Sequence, residues 1–215
     1  MCRLLVSRRA KQRADAFLRF QKLGTVAAER NTMHELFEAY LENPSRPRFR
    51  RLRQGVIRQS WYPPEPFDLI PLAEAMQESN WSAARERVEQ LLPDWPTSLR
   101  VHTAAAVISE MLGDTEDAEL ERFVSSSLLR GVLEAGNGSL ESPYPVTFWG
   151  DSAVVLAVLG LAAEGRELLE TGNQRLDHIT CRDGSQIAFD VTPLLGAAPT
   201  FPAAWRELES AGWPS

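Results

Sequence analysis

Two segments in the middle of this chain repeat at a spacing of 34 residues. Residues 80–84 align with residues 114–118, so that Ala118 lies 34 positions after Ala84. A period of this length is typical of repeated units that consist of two helices joined by a tight turn. A small alanine just after the turn allows the two helices of a hairpin to pack closely. The repeat therefore predicts helical hairpins in the middle of the chain.

Apolar residues at helical spacing predict four helices around this repeat. They span about residues 67–78, 82–92, 98–112 and 115–135. Ser82 and Thr115 are the predicted N-caps of the second and fourth helices. Two hairpins are too few for a free-standing array, which needs about three units, so another part of the chain must cover the exposed apolar face. That face comprises Val101, Ile108, Val124, Leu128 and Val132.

The segment before the hairpins contains two further predicted helices. The first begins at Met33 and ends at Asn43-Pro44, and the second, rich in arginine, covers about residues 47–60. Residues 1–32 hold both lysines of the chain and end in a stretch with little apolar pattern. We therefore expect translation to start at Met33 and residues 1–32 to be a non-native or disordered leader. A native amphipathic helix at about residues 12–23 is the alternative.

The hydrophobic period changes after about residue 140. Two β-like runs, 175–181 and 186–192, flank Asp183-Gly184, which is a strong signal for a β-hairpin. The other elements expected in this part are a strand at 144–149, a short buried helix at 152–159, a segment at 166–170 that is either strand or helix, and a last helix at about 202–211.

These elements predict an α+β fold, in which tetratricopeptide-like helical hairpins pack against a small antiparallel sheet with one inserted helix. The expected parts are a helical region at 33–140, a small α+β unit at 141–195 packed on it, and a C-terminal helix at 196–215. Residues 33–215 are expected to form one domain. The hairpin at about 175–192 is expected to close the helical stack and to bury Phe189.

Several short landmarks in the second half of the chain occur in the same order in an uncharacterised family. They are the run 128–138 ending in Gly136-Asn137-Gly138, Tyr144-Pro145-Val146, Leu159-Gly160-Leu161, Asp177 before Ile179-Thr180, and Phe189-Asp190-Val191. In these landmarks the chain resembles the family catalogued as domain of unknown function 4919. The resemblance implies a fold but no activity. Where that family commonly has His-Glu-Tyr or Glu-Glu-Tyr, this chain has Asp151, Ser152 and Ala153.

Charge is distributed unevenly along the chain. Residues 1–58 hold 14 Lys/Arg and 5 Asp/Glu, whereas residues 59–215 hold 9 Arg and 24 Asp/Glu. A basic segment is compatible with nucleic-acid or lipid binding. However, the aromatic residues do not alternate with the arginines as single-strand binders require, so no nucleic-acid partner is expected. A basic segment that contacts the acidic remainder, or a solvated face formed by Arg48, Arg51 and Arg58, accounts for the same pattern.

Composition also limits the compartment and the cofactors. Apolar runs of about 18 residues are missing from the sequence, so no membrane span is expected. Cys2 and Cys181 are too few for a disulfide framework and favour a reducing, cytoplasmic environment. The spacing of the two cysteines and three histidines fits no zinc site, and we predict neither metal nor cofactor. His102 is expected to be a hydrogen-bonded core histidine. Asp177 and His178 are expected to point to opposite faces of a strand.

Two functional classes remain compatible with the sequence. The favoured class is a non-catalytic interaction or scaffold domain, including an accessory or immunity-type protein, whose partner is another protein or a peptide. Under this interpretation no catalytic, cofactor-binding or metal-binding residue is expected. Asp151→Ala should then leave the fold and partner binding intact. The alternative is an enzyme with an acidic site between helices and sheet, formed by Asp151, Asp177 and Asp190. In that site Asp177 and Asp190 approach each other across the hairpin, unless they pair with Arg175 or Arg182.

Overall fold

A computed structural model describes residues 24–60, 62 and 66–195 of the 215-residue chain. The described residues form eight α-helices, a short 3₁₀ helix and four strands. In chain order they are α1 (Gly24–Glu42), α2 (Arg46–Ile57), the 3₁₀ helix (Pro66–Leu69), α3 (Ile70–Gln77), α4 (Trp81–Leu91), α5 (Leu99–Met111), α6 (Thr115–Ala135), β1 (Tyr144–Pro145), α7 (Asp151–Val158), β2 (Ala163–Thr171), β3 (Gln174–Cys181), β4 (Gln186–Asp190) and α8 (Thr192–Leu195). The predicted α+β class is confirmed. The predicted helix at about 202–211 lies outside the described residues, as does the alternative helix at about 12–23.

The two repeated segments begin helices in the same way. Asn80 is the N-cap of α4, and its side-chain oxygen accepts a hydrogen bond from the backbone N–H three residues later, at 3.3 Å. Asp114 is the N-cap of α6 and accepts the equivalent bond at 3.3 Å. The predicted caps Ser82 and Thr115 are wrong by one or two positions, because a carboxylate or amide on the residue just before the helix reaches those N–H groups.

The turns in front of these caps also match. Ser79 has a φ of 56° and Gly113 has a φ of 77°, so each preceding helix ends in a left-handed residue. Ala84 and Ala118, the alanines of the repeat, are both buried. The repeat therefore corresponds to two helical hairpins, α3–α4 and α5–α6, with the same turn. Their assignment as tetratricopeptide-like stays a prediction.

The first two helices cover part of α6. The Tyr40 hydroxyl of α1 donates a hydrogen bond to the backbone carbonyl of Ser127. Phe49 of α2 lies against Gly131, where an added Cβ would be 2.3 Å from the aromatic ring. Helix α1 begins at Gly24, nine residues before the predicted start at Met33, so part of the segment expected to be a leader is helical. The apolar face expected to need a cover is buried throughout; it comprises Val101, Ile108, Val124, Leu128 and Val132.

The four described strands form one sheet in the order β1-β4-β3-β2. The sheet is mixed, because β1 runs parallel to β4 while the other pairs are antiparallel. The predicted hairpin is confirmed as β3 and β4, and the segment at 166–170 belongs to strand β2. Gly172-Asn173 forms the two-residue connection from β2 to β3. The strand expected at 144–149 shortens to two residues.

Helices and sheet share one apolar core. Phe189 and Leu176 in the hairpin are fully buried, as is Tyr40 in α1. A single cluster of buried apolar residues runs from Met33 to Leu195. The hairpin is therefore part of the core, as expected from the sequence, whereas the side chains described above against α6 come from α1 and α2. None of the described helices is both long enough and apolar enough to cross a bilayer.

Candidate functional site

The register of the hairpin places Asp177 and Asp190 on opposite faces of the sheet. Asp177 lies directly opposite Phe189, and Asp190 lies opposite Leu176. Directly opposed residues share a face, whereas consecutive residues alternate between faces. The expectation that the two carboxylates approach each other is therefore wrong. Their positions in the strand register are offset by one residue, which places the side chains on opposite faces.

Each of these two carboxylates has an arginine partner from a different element. Asp177, 1% exposed, forms an ion pair with the guanidinium of Arg166 in β2, with Nε and Oδ1 3.0 Å apart. Asp190 lies 3.4 Å from Nη2 of Arg53 in α2. The sequence pointed to Arg175 and Arg182 as partners, but the pairing arginines come from outside the hairpin.

Asp151 is buried at the start of α7, with 2% of its surface exposed. One carboxylate oxygen accepts from the Ser98 hydroxyl at 3.2 Å and from the Arg100 backbone N–H at 3.4 Å. The other oxygen accepts from the Phe148 backbone N–H at 3.1 Å. Burial raises the pKa of Asp151 to about 7, although these hydrogen bonds act in the opposite direction.

These contacts make Asp151 a long-range cap for α5. The first N–H groups of a helix have no partner within the helix and need an acceptor from elsewhere. Ser98 is the N-cap and accepts from the Val101 N–H at 3.3 Å, and Asp151 supplies a second acceptor. The adjoining Gly150 has a φ of 87°, and an added Cβ would lie 2.3 Å from the Arg100 side chain. The burial and capping of Asp151 argue against the expectation that Asp151→Ala leaves the fold intact.

Tyr62 lies within electrostatic range of both Asp151 and Asp190. Burial raises the pKa of Tyr62, and the charges of Asp151 and Asp190 add to that effect, so both carboxylates lie within its electrostatic reach. Its hydroxyl donates to the Thr147 carbonyl at 2.6 Å. The two carboxylates themselves bind different hydrogen-bond donors.

The histidines have structural partners. His102 lies between Glu121, 2.6 Å from Nδ1, and the Pro96 carbonyl, 3.0 Å from Nε2, which confirms the predicted core histidine. His178 pairs with Glu167 of the neighbouring strand at 2.9 Å, on the face opposite to that of Asp177. Within the described residues, no group of three or more His, Cys, Asp or Glu side chains is placed to hold a metal ion.

A cleft of about 490 Å³ opens between α2, the end of α6 and the β1–β4 side of the sheet. Three arginines of α2, Arg46, Arg50 and Arg53, line it. Their spacing of four and three residues places them on one face of the helix. Two carboxylates, those of Glu141 and Asp190, also border the space. This space is called the arginine cleft below.

The three arginines differ in how they are bound. Arg53 donates to the Val146 carbonyl at 3.0 Å as well as contacting Asp190. Arg46 donates to the Ala135 carbonyl at 3.1 Å. Arg50 is exposed and has no hydrogen bond or ion pair with any described residue.

The arginine cleft is not predicted by the sequence, although part of the signal for it is present in α2. The face of α2 expected to be solvated was that of Arg48, Arg51 and Arg58. The spacing of Arg46, Arg50 and Arg53 also places three arginines on one side of the helix. The cleft also needs the end of α6 and β4 to lie opposite these three arginines, and tertiary packing determines that placement.

Comparison with known proteins identified no relative. No family model matches the chain, and neither does any curated protein or solved structure. The resemblance to the domain of unknown function 4919 family therefore stays a prediction.

Proposed function

We propose that this chain is a non-catalytic interaction domain of the cytoplasm that binds another protein or a peptide. The observation that carries the proposal is the placement of the three candidate acids. Asp177 and Asp190 are ion-paired with arginines on opposite faces of the sheet, and Asp151 caps a helix. A pair of acids that share a substrate needs them on one side of one cavity.

An acidic active site is the second candidate, and one observation favours it. The pKa of Asp151 is raised to about 7, in the range suited to a general acid or base. Against this, Asp151 is 2% exposed and its oxygens face backbone N–H groups and Ser98. A carboxylate bound in this way stabilises the fold and has little access to a substrate.

Affinity capture followed by reconstitution tests the proposal. The full chain is used as bait in extracts of its native host, and a candidate partner is then purified and titrated into the full chain by calorimetry. We expect saturable binding by the purified partner with a fixed stoichiometry. The proposal fails if no purified candidate binds, or if a substrate is turned over and Asp151→Asn abolishes that turnover at an unchanged free energy of unfolding.

A further inference from the structure

We propose that the arginine cleft binds an acidic segment of the partner protein, whose carboxylates contact Arg46 and Arg50. This inference rests on the proposed interaction function and adds the chemistry of the partner. It starts from an imbalance of charge. Three guanidinium groups and two carboxylates line the cleft, and Arg53 already contacts one of those carboxylates, that of Asp190.

Helix α2 does not compensate its own positive charge. Its 12 residues include five arginines and no acidic residue. Like charges three or four positions apart on a helix repel each other, so Arg46, Arg50 and Arg53 destabilise the face that they share. A carboxylate between Arg46 and Arg50 would relieve that repulsion. Arg50 is available for such a contact because no described residue pairs with it.

The N-terminus of α2 adds a partial positive charge to the charges of the arginines. Arg46 is the first residue of the helix, where free N–H groups and the helix dipole already favour an anion. The side chain of the N-cap Ser45 makes no capping hydrogen bond. Guanidinium groups bind carboxylates through two parallel hydrogen bonds, which a lysine cannot provide.

The remaining lining favours a peptide over a nucleic acid. Glu141 and Asp190 border the cleft and would repel a continuous phosphate backbone. The aromatic ring that lines it, Phe49, is 3% exposed and cannot stack on a base. Gln54 and Gln174 offer amide groups that can hydrogen-bond to a peptide backbone. An acidic peptide can avoid the two carboxylates, because its charges are separated by neutral backbone.

A pair of neighbouring arginines provides a matched test. Arg50 and Arg51 are adjacent, both exposed and without a partner among the described residues, but only Arg50 lines the cleft. Binding of a fluorescein-labelled peptide of eight glutamates to the full chain is followed by fluorescence anisotropy. We expect Arg50→Glu to weaken binding at least tenfold and Arg51→Glu to weaken it less than twofold. Arg50→Gln should give an intermediate loss.

Several results would overturn the inference. Equal effects of Arg50→Glu and Arg51→Glu would show a non-specific attraction between charges. Equal binding of a peptide of eight glutamines would show that carboxylates are not recognised. Tighter, Arg50-dependent binding of an eight-nucleotide thymidine strand would assign the cleft to nucleic acid. Circular dichroism and urea denaturation of each variant establish that the fold is retained.

Reconstitution with the captured partner separates this inference from the proposed function. A partner that binds wild type but not Arg50→Glu supports both. A partner that binds wild type and Arg50→Glu equally well overturns the cleft and leaves the interaction function standing. If no partner binds, the interaction function fails, and the inference fails with it.

Discussion

The region around Asp151 and the arginine cleft both bring charged side chains together from distant parts of the chain, but they use them differently. Around Asp151 the carboxylate is buried and accepts hydrogen bonds from α5 and from the turn before α7. In the cleft, Arg50 is exposed and has no described partner. Both residues are charged, but only Asp151 is buried and hydrogen-bonded. Burial and hydrogen bonding therefore distinguish a charged residue that stabilises the fold from one that is accessible to a ligand.

Phe189→Ala should have the largest effect on stability, because Phe189 is a large apolar side chain in the core. It precedes Asp190, which lines the cleft, so this variant also tests the strand that forms one wall of the cleft. Phe189 is fully buried, so its truncation should cost about 3–5 kcal/mol of the free energy of unfolding. Urea denaturation measures this cost. A midpoint close to that of wild type would mean that the hairpin is a surface flap and that the cleft lacks a rigid wall.

Asp151→Ala should destabilise the fold by about 2–4 kcal/mol, since buried donors that lose their acceptor cost about 1–3 kcal/mol each. The control is Glu119→Ala, which removes an exposed carboxylate from α6. Comparison of the urea midpoints measures both. If the two variants have the same stability, Asp151 does not act as a cap and the contrast with the cleft disappears.

The pH dependence of stability isolates the titration of Asp151. Its pKa is raised to about 7 in the folded state, whereas an unfolded aspartate titrates near 3.8. Between these values the folded state retains a proton that the unfolded state has lost, so stability falls as pH rises from about 4 to about 7. The contribution is at most about 1.4 kcal/mol per pH unit. Wild type and Asp151→Asn should therefore differ in slope in this window, and parallel curves of unfolding free energy against pH would contradict the assignment.

Arg50→Glu should have the smallest effect on stability. An exposed side chain without a partner contributes within about 0.5 kcal/mol, so the urea midpoint should remain close to that of wild type. A loss of more than about 1 kcal/mol would show that Arg50 serves the fold, as Asp151 does. The arginine cleft would then not differ from the region around Asp151, because both would contain charged residues that stabilise the fold.

Local signals in the sequence were enough for much of the fold. The helix at 115–135 and the Asp183-Gly184 hairpin were predicted correctly because the apolar spacing of the helix and the turn residues of the hairpin are local in sequence. Strand β2 was ambiguous because Leu168-Leu169 fits either period. The Gly172-Asn173 pair after it was an overlooked hairpin signal.

The candidate sites were predicted less well, because they depend on register and on distant partners. One step of the pleat separates Asp177 from Asp190, and the sequence does not fix which residues of β3 and β4 oppose each other. The donors that reach Asp151 come from α5, about 50 residues earlier. The arginine cleft required the position of α2 relative to the sheet. These are properties of packing that no local pattern contains.

The cap on α5 has a consequence for the order of events during translation. The Arg100 N–H receives its acceptor from Asp151, which is synthesised 51 residues later. At about 5–20 residues per second, roughly 3–10 s separate the two on the ribosome. Helices form in about a microsecond or less, so α5 can form long before its cap exists. During that interval water must solvate the Arg100 N–H. The first turn of α5 gains its last acceptor only after Asp151 has emerged from the ribosome.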